Sequence, residues 1–147
     1  MKKIIIITTI CLIGKIVTAQ NELYNNGGIV QINTNCIIQV NGVLINRSGS
    51  TLSNNGTLTV TGNITNDAAG AFNAGTLEFK GTAAQTLSGL ADFNAKNVLI
   101  NNAAGVTLNT TLKADGLVTF TNGIITAAAS TTPMVFTTNA TVTGTAD

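Results

Sequence analysis

Past residue 26 the chain alternates apolar and polar positions in short runs bounded by Gly and Asn, and no stretch repeats apolar residues at the spacing of a helix. Such a pattern predicts short β-strands throughout. The runs also echo one another. Gly56-Thr57-Leu58-Thr59-Val60 is followed by Gly75-Thr76-Leu77-Glu78-Phe79, by Asn97-Val98-Leu99-Ile100 and by Gly116-Leu117-Val118-Thr119-Phe120. Their apolar pairs, 58/60, 77/79, 98/100 and 118/120, recur at intervals of 19, 21 and 20 residues, and a period near twenty marks a repeat architecture. Two further apolar sets keep similar offsets: Ile64, Leu87, Val106 with Leu108, and Ile125; then Phe72, Phe93, Leu112 and Val135. Three short strands and three turns in about twenty residues make one triangular coil. The predicted fold is therefore all-β, a single-domain parallel β-helix (β-solenoid) of roughly six coils, each burying its inward face only by stacking on the next.

Side chains in a strand alternate between faces, so Leu58 and Val60 are expected inside and Thr57, Thr59 and Thr61 in water. On that assignment Leu77→Asp unfolds the stack, whereas Thr59→Asp is nearly silent. Gly56, Gly75 and Gly116 each precede a first strand, where a positive φ is expected. The Asn-Gly pairs at 26/27, 41/42, 55/56 and 122/123 are turn signals that also mark antiparallel hairpins, and a β-sandwich would use the same dipeptides. The repeat decides for the solenoid, because a sandwich has no reason to place like residues at a fixed interval. Ile29–Ile32, Cys36–Val40 and Gly42–Asn46 are spaced more tightly, as terminal coils are. Asn, Ala and Thr at the corners permit side-chain ladders from coil to coil.

The N-terminus has a different pattern. Met1-Lys2-Lys3, an apolar run over Ile4–Gly14 and the small-residue exit Val17-Thr18-Ala19 have the anatomy of a secretory signal peptide cleaved after Ala19. The apolar run is shorter than the ~20 residues a membrane span needs. The domain organisation is thus a signal at 1–19 and a β-helix repeat domain at 20–147. That domain is expected to be incomplete at its C-terminus, because Thr141–Asp147 stops within a strand pattern without a cap. Removal of the signal leaves Cys36 alone, expected as a small apolar side chain beside Ile37 and Ile38.

Charge narrows the function classes. Only 9% of the residues are charged, with net +1 overall. Without residues 1–19 the cations are Arg47, Lys80, Lys96 and Lys113 against six acids, for a net charge of −2. Nucleic-acid binding needs clustered cations and is excluded as a class. The chain has no His, so a Ser-His-Asp or Cys-His arrangement cannot form.

The runs Gly75–Gly81, Gln85-Thr86-Leu87-Ser88-Gly89, Asn97–Asn102 and Gly105-Val106-Thr107-Leu108-Asn109 resemble the repeats of large secreted right-handed parallel β-helix surface proteins of bacteria. These are adhesin-like or autotransporter-like proteins, particularly those exported by the type IX pathway. The likeness spans residues 42–130 and implies that this chain is an N-terminal fragment of such a protein. It implies display or adhesion and supplies no catalytic residue.

The expected function is a non-enzymatic extracellular structural or adhesive segment at the outer cell surface. Its expected partners are surface glycans or other cell-surface proteins, with end-to-end self-association as a further mode; no nucleic acid and no membrane span are expected. No residue is assigned as catalytic, cofactor-binding or metal-binding. The alternative is a carbohydrate-active β-helix enzyme, with Asp67 and Asp92 as the carboxylates that could share a corner one coil apart. Glu78 and Lys80 are expected as a weak exposed pair. A third reading, an ice-binding solenoid, takes the outward runs Thr57/Thr59/Thr61, Thr119/Thr121 and Thr141/Thr143/Thr145, although Thr76/Glu78 and Asn97/Leu99 interrupt the rank.

Overall fold

The computed structural model describes residues 16–70 and 74–144, with side chains from residue 21 onward. Most of the expected signal and all of Phe72 and Asp147 lie outside the described residues. Within them every strand pairing is parallel, and the strands stack as a β-solenoid of about six turns. Parallel pairing excludes the hairpins of a sandwich, so the Asn-Gly dipeptides serve corners instead.

The first face stacks β1 (Ile16–Asn25), β3 (Ile37–Asn46), β5 (Thr57–Val60), β7 (Thr76–Phe79), β10 (Asn97–Asn101), β13 (Leu117–Asn122) and β16 (Thr141–Gly144). The second face continues from the C-terminal halves of β1 and β3 into β6 (Ile64–Asn66), β8 (Gln85–Ser88), β11 (Val106–Leu108) and β14 (Ile125–Ala127). The third face is in two pieces. β2 (Ile29–Ile32) pairs with β4 (Thr51–Asn54), and β9 (Phe93–Ala95) pairs with β12 (Leu112–Ala114), which pairs with β15 (Met134–Phe136).

The register explains the period. Leu58, Leu77, Val98 and Val118 stand in one inward column, and Val60, Phe79, Ile100 and Phe120 in the next. Seven of these eight side chains are buried, and Phe120 packs against the same core. Burying an aliphatic side chain of this size is worth about 1.5–3 kcal/mol, so one apolar position repeated in every coil becomes a continuous core. On the second face Ile64 stacks on Leu87 and Leu87 on Leu108, as the spacing predicts.

Several expectations are corrected. β3 is one continuous strand that turns the corner between two faces, where the sequence suggested two separate runs at Cys36–Val40 and Gly42–Asn46. Apart from these corrections, β1 runs over Ile16–Asn25 and pairs with β3 along its length. Met134, not Val135, is in register with Leu112; both are apolar, and parity alone did not choose between them. Cys36 packs against the core, the place expected of it, and is disulfide-bonded.

The corner glycines have another cause than the one expected. Gly56, Gly75 and Gly116 are not among the positive-φ residues. A Cβ at Gly56 would lie 2.2 Å from the Cys36 carbonyl oxygen, and one at Gly75 would lie 2.5 Å from that of Gly56. Close approach of successive coils, rather than backbone handedness, excludes a side chain there.

Candidate functional site

The inward positions nearest the corners are polar, and they pair along the stack. Asn25, Asn46 and Asn66, each buried, form a ladder in which Asn25 Nδ2 donates to Asn46 Oδ1 at 3.0 Å and Asn46 Nδ2 donates to Asn66 Oδ1 at 2.9 Å. The next rung is Gly89, whose Cβ would lie 2.0 Å from the Asn66 carbonyl oxygen, so the ladder stops. Asn66 Nδ2 turns instead to the carbonyl oxygens of Ala91 at 3.4 Å and Asp92 at 3.1 Å. At another corner Asn102 Nδ2 donates to Gln85 Oε1 at 2.9 Å, and Gln85 Nε2 donates to the carbonyl oxygens of Val60 at 3.0 Å and Gly62 at 2.6 Å. These amides satisfy backbone groups that leave the sheets at the corners. The expected permission for ladders is realised, inside the solenoid rather than on its surface.

Among the described residues the third face is in two parts at the coil where this ladder ends. β4 and β9 do not pair with each other, and no strand is formed by the described residues between β6 and β7. A cleft of about 210 Å³ occupies the break. Thr51, Leu52 and Ser53 of β4 line one side, Asp92, Phe93 and Asn94 the other, and Asn46, Asn66 and Ala68–Gly70 complete it. A void of about 20 Å³ shares Leu52, Phe93 and Asn94 with this lining. Asn94 Nδ2 donates to the Gly70 carbonyl oxygen, while its Oδ1 is shielded from solvent with no donor in reach. A shielded carbonyl acceptor without a donor is uncommon enough to need a physical reason.

The carboxylates named from the sequence are placed as follows. Asp67 Oδ2 accepts from Arg47 Nη1 at 2.9 Å, Oδ1 accepts from the Leu90 N–H at 3.2 Å, and Arg47 lies 5.8 Å from the centre of the Tyr24 ring. Asp92 pairs with Lys113 Nζ at 2.7 Å and belongs to the cleft, whereas Asp67 does not line it. Each carboxylate is held by a cation of a different coil. A further ion pair joins Lys96 Nζ to Asp115 at 2.9 Å, and Asp115 also accepts from Thr137 and, at 3.4 Å, from Asn139. The Thr137 hydroxyl first, then Lys96, hold the Asp115 carboxyl below its ordinary value of 3.8.

Glu78 is not paired with Lys80. Its carboxylate accepts from Thr59 Oγ1 at 2.7 Å and from Asn101 Nδ2 at 3.3 Å. Thr59, expected in water, is consequently buried at 4% exposure. The outward ranks of the first face run Thr57, Thr76, Asn97, Leu117, Thr141 and Thr59, Glu78, Leu99, Thr119, Thr143, interrupted as the sequence indicated. A shorter rank missed in the sequence, Thr86, Thr107 and Thr126, stands in register on the second face.

Among the described residues no three His, Cys, Asp or Glu side chains gather as metal ligands, and no helix is long and apolar enough to cross a membrane. No protein-family model, curated protein or solved structure matches this chain.

Proposed function

We propose that this chain is a non-enzymatic structural and adhesive segment of a secreted or surface-displayed bacterial protein, working as a stiff spacer that presents its outer faces to other surfaces. The observation that carries the reading is the continuous parallel pairing of the first face through seven strands, with a bulge between Ile100 and Asn101 where β10 meets β13. At one strand spacing per coil those strands span about 29 Å, and the buried amide ladders tie successive coils together without a ligand. The resemblance to right-handed β-helix adhesins of the type IX kind gives the reading its setting at the cell surface. Surface glycans and cell-surface proteins are the partners that setting suggests.

The test is to delete the gene segment in the producing cell and to follow the product and the cell's attachment to a substratum. The expected result is a product outside the cell and weakened attachment without it. Retention of the product in the cytosol, or unaltered attachment, would overturn the reading. Turnover of a polysaccharide by the purified chain would replace it with the enzymatic alternative. The ion pairs of Asp67 with Arg47 and of Asp92 with Lys113 support the spacer reading, since each carboxylate already has a cation partner.

A further inference from the structure

In each Asn-Gly pair the asparagine carboxamide can be attacked by the next backbone nitrogen, because glycine puts no side chain in the way. The attack needs both groups to be free. The carboxamide must swing over the following peptide, and the glycine N–H must not be donating elsewhere. Three of the four pairs are restrained. Behind Asn26, Gly27 N donates to Ser50 Oγ at 2.7 Å. Asn41 and Gly42 lie inside β3 in register with β1, and Asn41 Oδ1 accepts from Gln39 Nε2 at 2.6 Å. Asn55 Oδ1 accepts from the Ala74 N–H at 3.1 Å, while Gly56 N donates to Asn54 Oδ1 at 3.1 Å.

Asn122 differs. It is exposed at the end of β13, and neither its carboxamide nor the Gly123 N–H has a hydrogen-bond partner among the described residues. Its carbonyl oxygen accepts from Asn102 N at 3.0 Å, but the ladder between β10 and β13 shifts register just before it, between Ile100 and Asn101. The glycine itself is required by the fold. Gly123 has φ +89°, and a Cβ there would run into the Asn102 carbonyl oxygen, so the corner keeps the reactive partner in place. We propose that Asn122 is where this chain modifies itself. Gly123 N attacks Asn122 Cγ, the new N–C bond closes a succinimide, and the carboxamide nitrogen takes the proton from Gly123 N and leaves as ammonia. Water then adds to either imide carbonyl, and ring opening gives aspartate or isoaspartate. Either product carries a carboxylate in the stretch from Gly116 to Gly144, which has no Asp, Glu, Lys or Arg. The isoaspartate form also lengthens the main chain by a methylene at the corner between β13 and β14. The reaction uses water alone and is independent of the adhesive reading.

The experiment incubates the purified full chain at mildly alkaline pH and follows each Asn-Gly pair by peptide mapping, with electron-transfer fragmentation to separate isoaspartate from aspartate. The same chain in urea beyond its unfolding midpoint gives the rate of each pair without the fold. A hydrogen bond that must open first slows a pair by about fivefold, taking the net worth of one bond. The expected result is that Asn122 in the folded chain stays within about fivefold of its unfolded rate, whereas Asn26, Asn41 and Asn55 fall further below theirs. Native isoelectric focusing should show an acidic species that is absent from Asn122→Gln, whose longer side chain does not close the succinimide. Folded-chain conversion at Asn26, Asn41 or Asn55 as fast as at Asn122, protection of Asn122 as strong as theirs, or an acidic species that persists in Asn122→Gln overturns the proposal. The rates in the unaltered chain decide even if Asn122→Gln does not fold.

Discussion

Replacing Asn46 with Ala tests whether the buried amide ladder holds the coils together. Asn46 is 3% exposed and makes two side-chain bonds, accepting from Asn25 Nδ2 at 3.0 Å and donating to Asn66 Oδ1 at 2.9 Å. The two neighbours are affected unequally. Asn25 Nδ2 retains the Thr51 carbonyl oxygen at 3.1 Å, whereas Asn66 Oδ1 loses the donor that the ladder gave it. Two net bonds of about 1 kcal/mol each and one buried acceptor left without a donor give a destabilisation of about 2–4 kcal/mol. With a urea m-value of about 2 kcal/mol/M the midpoint falls by roughly 1–2 M. Asn33 is the comparison, because its bond to Gln31 at 2.8 Å is exposed, and Asn33→Ala is expected to stay within about 0.5 kcal/mol. The double variant Asn46→Ala/Asn66→Ala should cost less than the two single changes together, since it removes the stranded acceptor. Urea melts read by tryptophan-independent probes, far-UV circular dichroism and tyrosine emission from Tyr24, should coincide before the midpoints are converted to free energies. Equal midpoints for Asn46→Ala and Asn33→Ala, or strict additivity in the double variant, would refute the ladder as a source of stability.

Three other outcomes follow from the same structure. Leu77→Asp puts a charge at a position 1% exposed and should abolish folding, and Thr59→Asp should also be costly, by about 1–2 kcal/mol, because it sets a second carboxylate against Glu78 Oε2; Thr59→Asp/Glu78→Gln should recover most of the loss in a thermal melt. The Asp115 carboxyl is depressed by Thr137 and Lys96, so its stabilising contribution is present above the unfolded-state value near 3.8 and is lost as pH falls through the lower folded-state value; in melts from pH 5 to pH 2, Asp115→Asn should lack that part of the acid loss, and identical acid profiles would show that the group is uncoupled from folding. Gly56→Ala should prevent soluble expression or cost more than about 2 kcal/mol, since its Cβ meets the Cys36 carbonyl oxygen at 2.2 Å, while Gly70→Ala, with nothing within 4 Å, should be neutral.

Much of the architecture was legible in the amino-acid sequence because parallel stacking repeats an inward position in every coil. The intervals 19, 21 and 20 between Leu58, Leu77, Val98 and Val118 are the register of β5, β7, β10 and β13. What escaped was polar. Asn46 stands two residues after Leu44 and Asn66 two after Ile64, so strand parity places both on the inward face, and that parity was the available signal. Asparagine was read as a turn former, and its capacity to stack on a copy of itself depends on register, which is a tertiary property. Thr59 illustrates the same limit, because its burial comes from the Glu78 side chain one coil away. The cleft was invisible for a related reason. It lies between β4 and β9, which do not pair with each other, and that lack of pairing carries no motif in the sequence.

The end of the ladder and the cleft share Asn66. In a stack with every coil alike, each corner amide finds its copy above and below, and no inward polar group is left over. Gly89 breaks that sequence of copies, and Asn66 turns to the carbonyl oxygens of Ala91 and Asp92, which belong to the next corner. At this level of the third face a cleft lies between β4 and β9, with Leu52 and Phe93 in its lining. On either side the coils are fastened by charge, Arg47 to Asp67 before the break and Lys113 to Asp92 after it. The opening therefore lies between two braced walls, and departure from the repeat, rather than the repeat itself, shapes the surface there.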